Sequence, residues 1–278
     1  MRELIGALAA AALATLPVEA AMAQADAPAA NSGGADRFFM QFEGVWLGVF
    51  GLGELTFDAF SGPDAYQVSA AIRSGGLAAL FDRTALSVSA RGPITERGPA
   101  WGAYDLDHSY GAKRRVTMMR ANAAGGVDAL VTPGHRNAGT PPVSPGQRAA
   151  ARDPLTAILG MGREVGQRRA CVGAYPVFDG KLYYILSLSP AGPARRHIQG
   201  GYDGMALACR MRLMPMSGYE PDEAKEARGW PAAELWFGLI EGASFAPPVH
   251  VRIPFALGDV SLTLKSFRRP EVAIPDGM

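Results

Sequence analysis

Four histidines, His108, His135, His197 and His250, are the side chains best suited to hold a metal or move a proton. None stands at a ligand spacing such as H-x-x-x-H from a second His, Cys or carboxylate. His108 has Asp105 and Asp107 beside it, but on a strand these aspartates share one face with Ser109 while His108 takes the other. Nucleophile chemistry has no local motif either. A G-x-S-x-G elbow is absent, and Gly242-Ala243-Ser244-Phe245-Ala246 keeps only the first glycine. Gly51 and Gly53 make a G-x-G without the third glycine or the βαβ unit of a dinucleotide site. The carboxylates are scattered, with no pair placed for glycoside chemistry. A Ser/His/Asp site assembled from distant positions stays open. The expectation is no catalytic residue, no metal and no cofactor that the sequence can name.

Two acidic motifs have structural explanations. Asp179-Gly180 is the dipeptide of a type I′ hairpin turn. Asp153-Pro154 reads as a helix cap followed by proline at the first helical position. The arginine pairs Arg114-Arg115, Arg168-Arg169, Arg195-Arg196 and Arg268-Arg269 are more suggestive, because arginine grips phosphate or carboxylate through two N–H groups. A phospholipid head group, lipid A or a glycan phosphate is the chemistry they would serve. Against this, neighbouring residues on a strand point to opposite faces, so the pairs also read as solvated strand surface. Cys171 and Cys209 form an even pair, which favours a disulfide in an oxidising compartment; two buried thiols are the alternative.

These residues need elements to position them. The chain has 278 residues, 48% hydrophobic, with 34 Gly and 21 Pro. So frequent a breaker excludes a long-helix bundle, and the apolar content excludes wholesale disorder. A net charge of +1 leaves no electrostatic footprint for nucleic acid. Residues 4–16 are an Ala/Leu-rich run behind Arg2, and Ala21-Met22-Ala23 fits a cleavage site. The run is too short to span about 30 Å of hydrocarbon. Residues 1–23 therefore read as a signal peptide cleaved after Ala23, giving a periplasmic protein that does not span the membrane. Residues 24–37 read as a flexible leader, 38–270 as a single β-rich domain and 271–278 as a tail.

Within the domain, residues 66–73 alternate, with Tyr66, Val68, Ala70 and Ile72 on one face. Residues 84–90 alternate again, and Gly111 centres a hairpin. Residues 132–152, with four prolines, read as a long exposed loop. Gly160 and Gly162 limit the helix at Asp153 to two or three turns. The fold expected is all-β with one or two short helices: a curved antiparallel sheet or open half-barrel, meander-like. Such a barrel either packs a helix inside or leaves an apolar cavity. Trp46, Phe57, Leu77, Phe81, Tyr184, Trp236 and Phe255 are the candidates to line it.

Several motifs resemble the exported bacterial family called Domain of Unknown Function 3108. They are Val45-Trp46-Leu47-Gly48 with Gly53-Glu54-Leu55, the Tyr66-Gln67-Val68-Ser69-Ala70 strand with Gly75-Gly76-Leu77, Asp153-Pro154-Leu155-Thr156-Ala157, and Val177-Phe178-Asp179-Gly180-Lys181. Cys209 and Pro254 add to the resemblance, which covers most of residues 40–267. The segment after Cys209 departs from it in being Met-rich. The resemblance implies an exported, mostly-β protein and no established reaction. Three functions fit these readings. The first is a soluble periplasmic protein that binds or carries a hydrophobic or amphiphilic envelope molecule. The second is a non-catalytic scaffold that meets an envelope protein. The third is an envelope glycan hydrolase.

Overall fold

The computed structural model describes residues 35–76, 83–198, 201–243 and 245–270. The strands, in chain order, are β1 (Asp36–Trp46), β2 (Phe50–Ser61), β3 (Ala65–Ser74), β4 (Thr84–Thr95), β5 (Gly98–Pro99), β6 (Ala103–Tyr110), β7 (Lys113–Ala121) and β8 (Val127–Thr132). Two helices follow, α1 (Pro145–Ala150) and α2 (Pro154–Arg168). The chain then forms β9 (Gly173–Phe178), β10 (Tyr183–Ile198), β11 (Tyr202–Ser217), helix α3 (Pro221–Arg228), β12 (Ala233–Gly238), β13 (Pro248–Ile253) and β14 (Val260–Arg268).

The strands form one antiparallel sheet in the order β8-β7-β6-β4-β3-β2-β1-β14-β13-β12-β11-β10-β9, with β5 attached to β4. Two meanders are thus joined where β1 lies beside β14, Phe42 opposite Leu264. β8 and β9 are left as edges. The segment between them covers the β9 edge: Arg152 N–H donates to Pro176 O and Phe178 N–H to Arg152 O, both at 2.8 Å. A covered edge is protected from pairing with another chain.

The sheet is mostly antiparallel and open, as the alternating segments require. Tyr66, Val68 and Ala70 of β3 are buried, while Arg73 is exposed. α2 fills the interior. Its Leu155 and Leu159 join the core of Phe38, Met40 and Val68, and its Ala157, Met161 and Val165 join that of Val177, Leu188, Cys209 and Phe237. Asp153 caps the helix, accepting from Thr156 N–H at 2.9 Å, and Pro154 takes the first position. Cys171 and Cys209 are disulfide-bonded, Cα–Cα 5.4 Å, tying the chain just beyond α2 to β11.

Several local expectations differ from the structure. There are three helices among the described residues, not one or two. α2 runs 15 residues, through Gly160 and Gly162. Gly162 is there for close approach: a Cβ on it would lie 2.3 Å from Phe245 Cε2. Residues 132–152 are not a plain exposed loop, because α1 forms on a Ser144–Gln147 capping box and Val143 and Ala151 are buried. The first hairpin turns at Leu47-Gly48, both with positive φ, rather than at Gly51 and Gly53. Asp179-Gly180 does join two paired strands, but through a four-residue connection and not a two-residue type I′ turn. The Asp179 side chain builds it by accepting from Lys181 and Leu182 N–H at 2.9 and 2.7 Å. The β-structure begins at Asp36, inside the expected leader; the signal segment and the 271–278 tail lie outside the described residues.

Candidate functional site

Burial along the inner face of the sheet is graded. On β1, Phe38, Met40 and Phe42 are buried and Trp46 half-buried; on β2, Ala59 and Phe57 are buried and Leu55 half-buried. Val68 and Ala70 give way to half-buried Ile72 on β3, Val88 to Leu86 on β4, and Leu264 to Leu262 on β14. The buried end is where α2 lies. Tyr66 Oη is hydrogen-bonded to Thr156 Oγ1 at 2.8 Å, and Arg163 Nη1 donates to Ser61 Oγ at 2.6 Å. At the opposite end of the same face the large apolar side chains Leu55, Ile72, Leu86 and Leu262 are half-buried, while Gly44 and Ser74 beside them are buried.

Cross-strand register builds a row across the inner face at that end. Leu264 faces Phe42, Phe42 faces Leu55, Leu55 faces Ile72, Ile72 faces Leu86, Leu86 faces His108 and His108 faces Arg115. Side chains paired this way stand about 5 Å apart at Cβ. The row is apolar from β14 to β4 and becomes polar on β6 and β7. The His108 ring lies 4.8 Å from that of Tyr110, whose ring has Lys113 Nζ 5.9 Å from its centroid.

The rim above the row is apolar. Trp46 and Phe50 pair at 5.7 Å, and Trp46 Nε1–H donates to Leu257 O at 3.2 Å, linking the β1–β2 and β13–β14 turns. Val49 and Leu257 project there with 73% and 80% of their surface exposed. Leu47 and Phe50, in the same β1–β2 turn region, are exposed as well.

The residues named from sequence as lining are dispersed. Trp46 and Phe255 stand at the rim, Phe255 exposed. Phe57 and Tyr184 are in the filled core beside α2. Trp236 points to the other face of the sheet from Leu235 and Phe237, under Arg196 at 4.2 Å and against His250 at 4.7 Å. Leu77 and Phe81 lie outside the described residues, as does Ser244. Leu55 and Leu262 carry no signal in the sequence that places them here; His108 and the Arg114-Arg115 pair stand out there, but not as neighbours of this row. The alternation that found Ile72 and Leu86 carries no information about which strand lies beside which.

Asp153 and Asp179 sit at the seam between α2 and the β9–β10 turn. Burial raises Asp153 to about 6, opposed by its hydrogen bonds from Thr156. Burial likewise raises Asp179, opposed by the N–H groups of Leu182 and Lys181. Burial, then the two carboxylates, push the Tyr104 hydroxyl up. Both aspartates are used as caps, so their geometry is that of structural groups. Among the described residues no group of three His, Cys, Asp or Glu is placed to hold a metal ion, and no helix is long and apolar enough to cross a membrane.

No family model and no curated protein matches the chain. Among solved structures it is similar to a β-barrel-like protein of Domain of Unknown Function DUF1849 from Brucella abortus, with 6% identity and a TM-score of 0.51. The similarity covers 85% of this chain and 99% of that one. The chain therefore has a β-barrel-like fold; a likeness at this identity carries nothing about activity.

Proposed function

We propose that this is an exported cell-envelope protein that binds or carries an amphiphilic molecule in the open end of its half-barrel. The burial of the inner face carries the reading: α2 fills one end, and Leu55, Ile72 and Leu86 at the other are only half-buried. Burying about ten methylenes there would contribute about 8 kcal/mol at ~0.8 kcal/mol each. Association costs offset part of this, leaving an affinity suited to uptake and release. The Cys171–Cys209 bond supports an oxidising compartment. The export pattern of residues 1–23 and the motif resemblance to Domain of Unknown Function 3108 support a periplasmic location.

The test is native mass spectrometry of protein purified from its own periplasm without detergent, together with lipid transfer between vesicles. An added amphiphile mass and transfer above background are expected. Bare protein mass with no transfer would overturn the proposal. A second reading, a scaffold that meets an envelope protein, is favoured by the projecting Val49 and Leu257 side chains. Crosslinking in cells from position 49 to one defined protein, with no bound amphiphile, would select it.

A further inference from the structure

The arginines of the sheet differ in compensation. Arg114 pairs with Asp107, Arg120 with Asp105, Arg37 with Asp58, and Arg252 with Glu234 and Asp259. Arg196 on β10 has a buried Nε without a hydrogen-bond partner, but its guanidinium lies over the Trp236 ring; among the described residues Arg115 has neither an ion pair nor a ring. It follows Arg114 directly on β7 and so takes the other face, where it stands opposite inward-facing His108. Its Nε is buried without a hydrogen-bond partner among the described residues. A buried donor left unmade costs free energy that a ligand acceptor would recover. Arg115 ends a row that is otherwise apolar as far as Leu86, so the inner face has a greasy stretch and one cationic end. From Leu55 on β2 to Arg115 on β7 is four strand spacings, or about 19 Å, the scale of an acyl chain with its head group.

We infer that the ligand of the proposed carrier site is an anionic amphiphile. Its chain lies along Leu55, Ile72 and Leu86, and its phosphate or carboxylate is held by Arg115, with Lys113 and His108 alongside. This rests on the carrier reading and adds the charge and position of the head group. Guanidinium supplies two parallel N–H donors to either oxyanion, which is why both head groups are in the class.

The experiment uses the full chain and four probes of equal chain length, dodecyl phosphate, dodecanoate, dodecyl maltoside and dodecyltrimethylammonium, each below its micelle concentration. Displacement of the neutral dye N-phenyl-1-naphthylamine reads binding. The anions should displace it at concentrations about tenfold lower or less than the maltoside, the scale of one charge-assisted hydrogen bond. Arg115→Gln should erase that preference and leave maltoside binding intact, Arg115→Lys should retain it, and Arg114→Gln should change nothing. The stronger of phosphate and carboxylate identifies the head group. Equal displacement by all four probes, or a preference that survives Arg115→Gln, would overturn the inference while leaving the carrier reading standing. If no probe binds, the maltoside included, the carrier reading fails and takes this inference with it.

Discussion

Gly162 of α2 and Phe245, in the segment leading to β13, are in such close contact that a β-carbon on the glycine would lie 2.3 Å from Phe245 Cε2 and 2.7 Å from Ala246 O. Two residues earlier on the same helix, Gly160 has nothing within 4 Å of the equivalent position. The same substitution should therefore act in opposite directions. Gly162→Ala should destabilise by about 2 kcal/mol through overpacking, lowering Tm by about 4–8 °C. Gly160→Ala should stabilise by up to about 1 kcal/mol, because glycine is the poorer helix former. Thermal melts of the two variants check this; equal effects would show that α2 does not seat on Phe245.

Reduction of the Cys171–Cys209 bond should destabilise the protein. Closing a 38-residue separation contributes about 4 kcal/mol in the chain-entropy model. Urea unfolding with and without dithiothreitol, alongside the double Cys→Ala variant, measures it. Coincident midpoints would mean that the fold between α2 and β11 holds without the bond.

A buried group, Asp153, and a half-buried one, His250, should act oppositely in mild acid. Asp153 is raised by burial from 3.8 to about 6 in the folded state. The stability from its bound proton is full below about pH 4 and is lost as pH rises through about 6. His250 is lowered from 6.5 to about 4, by burial first and then by Arg196 and Arg252. Its contribution is full above about pH 6.5 and is lost as pH falls through about 4. Asp153→Asn keeps the cap, since asparagine also caps well, and should remove a loss of about 2–3 kcal/mol between pH 4 and 6. His250→Gln should gain on the wild type as pH falls. Unfolding by urea at pH 4, 5, 6 and 7 measures both; a variant curve parallel to the wild type would contradict the assignment for that residue.

The strands and hairpins were legible because their signals are local. Tyr66, Val68 and Ala70 alternate and are buried, and Asp153-Pro154 opens a helix by its own chemistry. The length of α2 was not legible, because Gly162 is fixed by Phe245, 83 positions away. The face of Trp236 was not legible either. Its strand has Leu235, Trp236 and Phe237 all buried, so both faces are covered and period two disappears. The candidate site depends on register across strands. β1 meets β14 more than 200 residues later, and no pattern in either segment announces the other. The arginine pairs were visible in the sequence, but which member faces inward is a matter of strand parity that the turn between β6 and β7 decides.

Calorimetric titration with dodecyl maltoside, at several temperatures and below its micelle concentration, tests the open inner face most directly, because a neutral head group leaves only the apolar row to bind it. One molecule per chain should bind with a negative heat-capacity change on the order of 100 cal/mol/K, the mark of buried apolar area. Leu86→Glu, which puts a carboxylate into the half-buried row, should weaken binding by about tenfold or more while the protein remains folded. No binding, or binding with no heat-capacity change and no response to Leu86→Glu, would contradict the account.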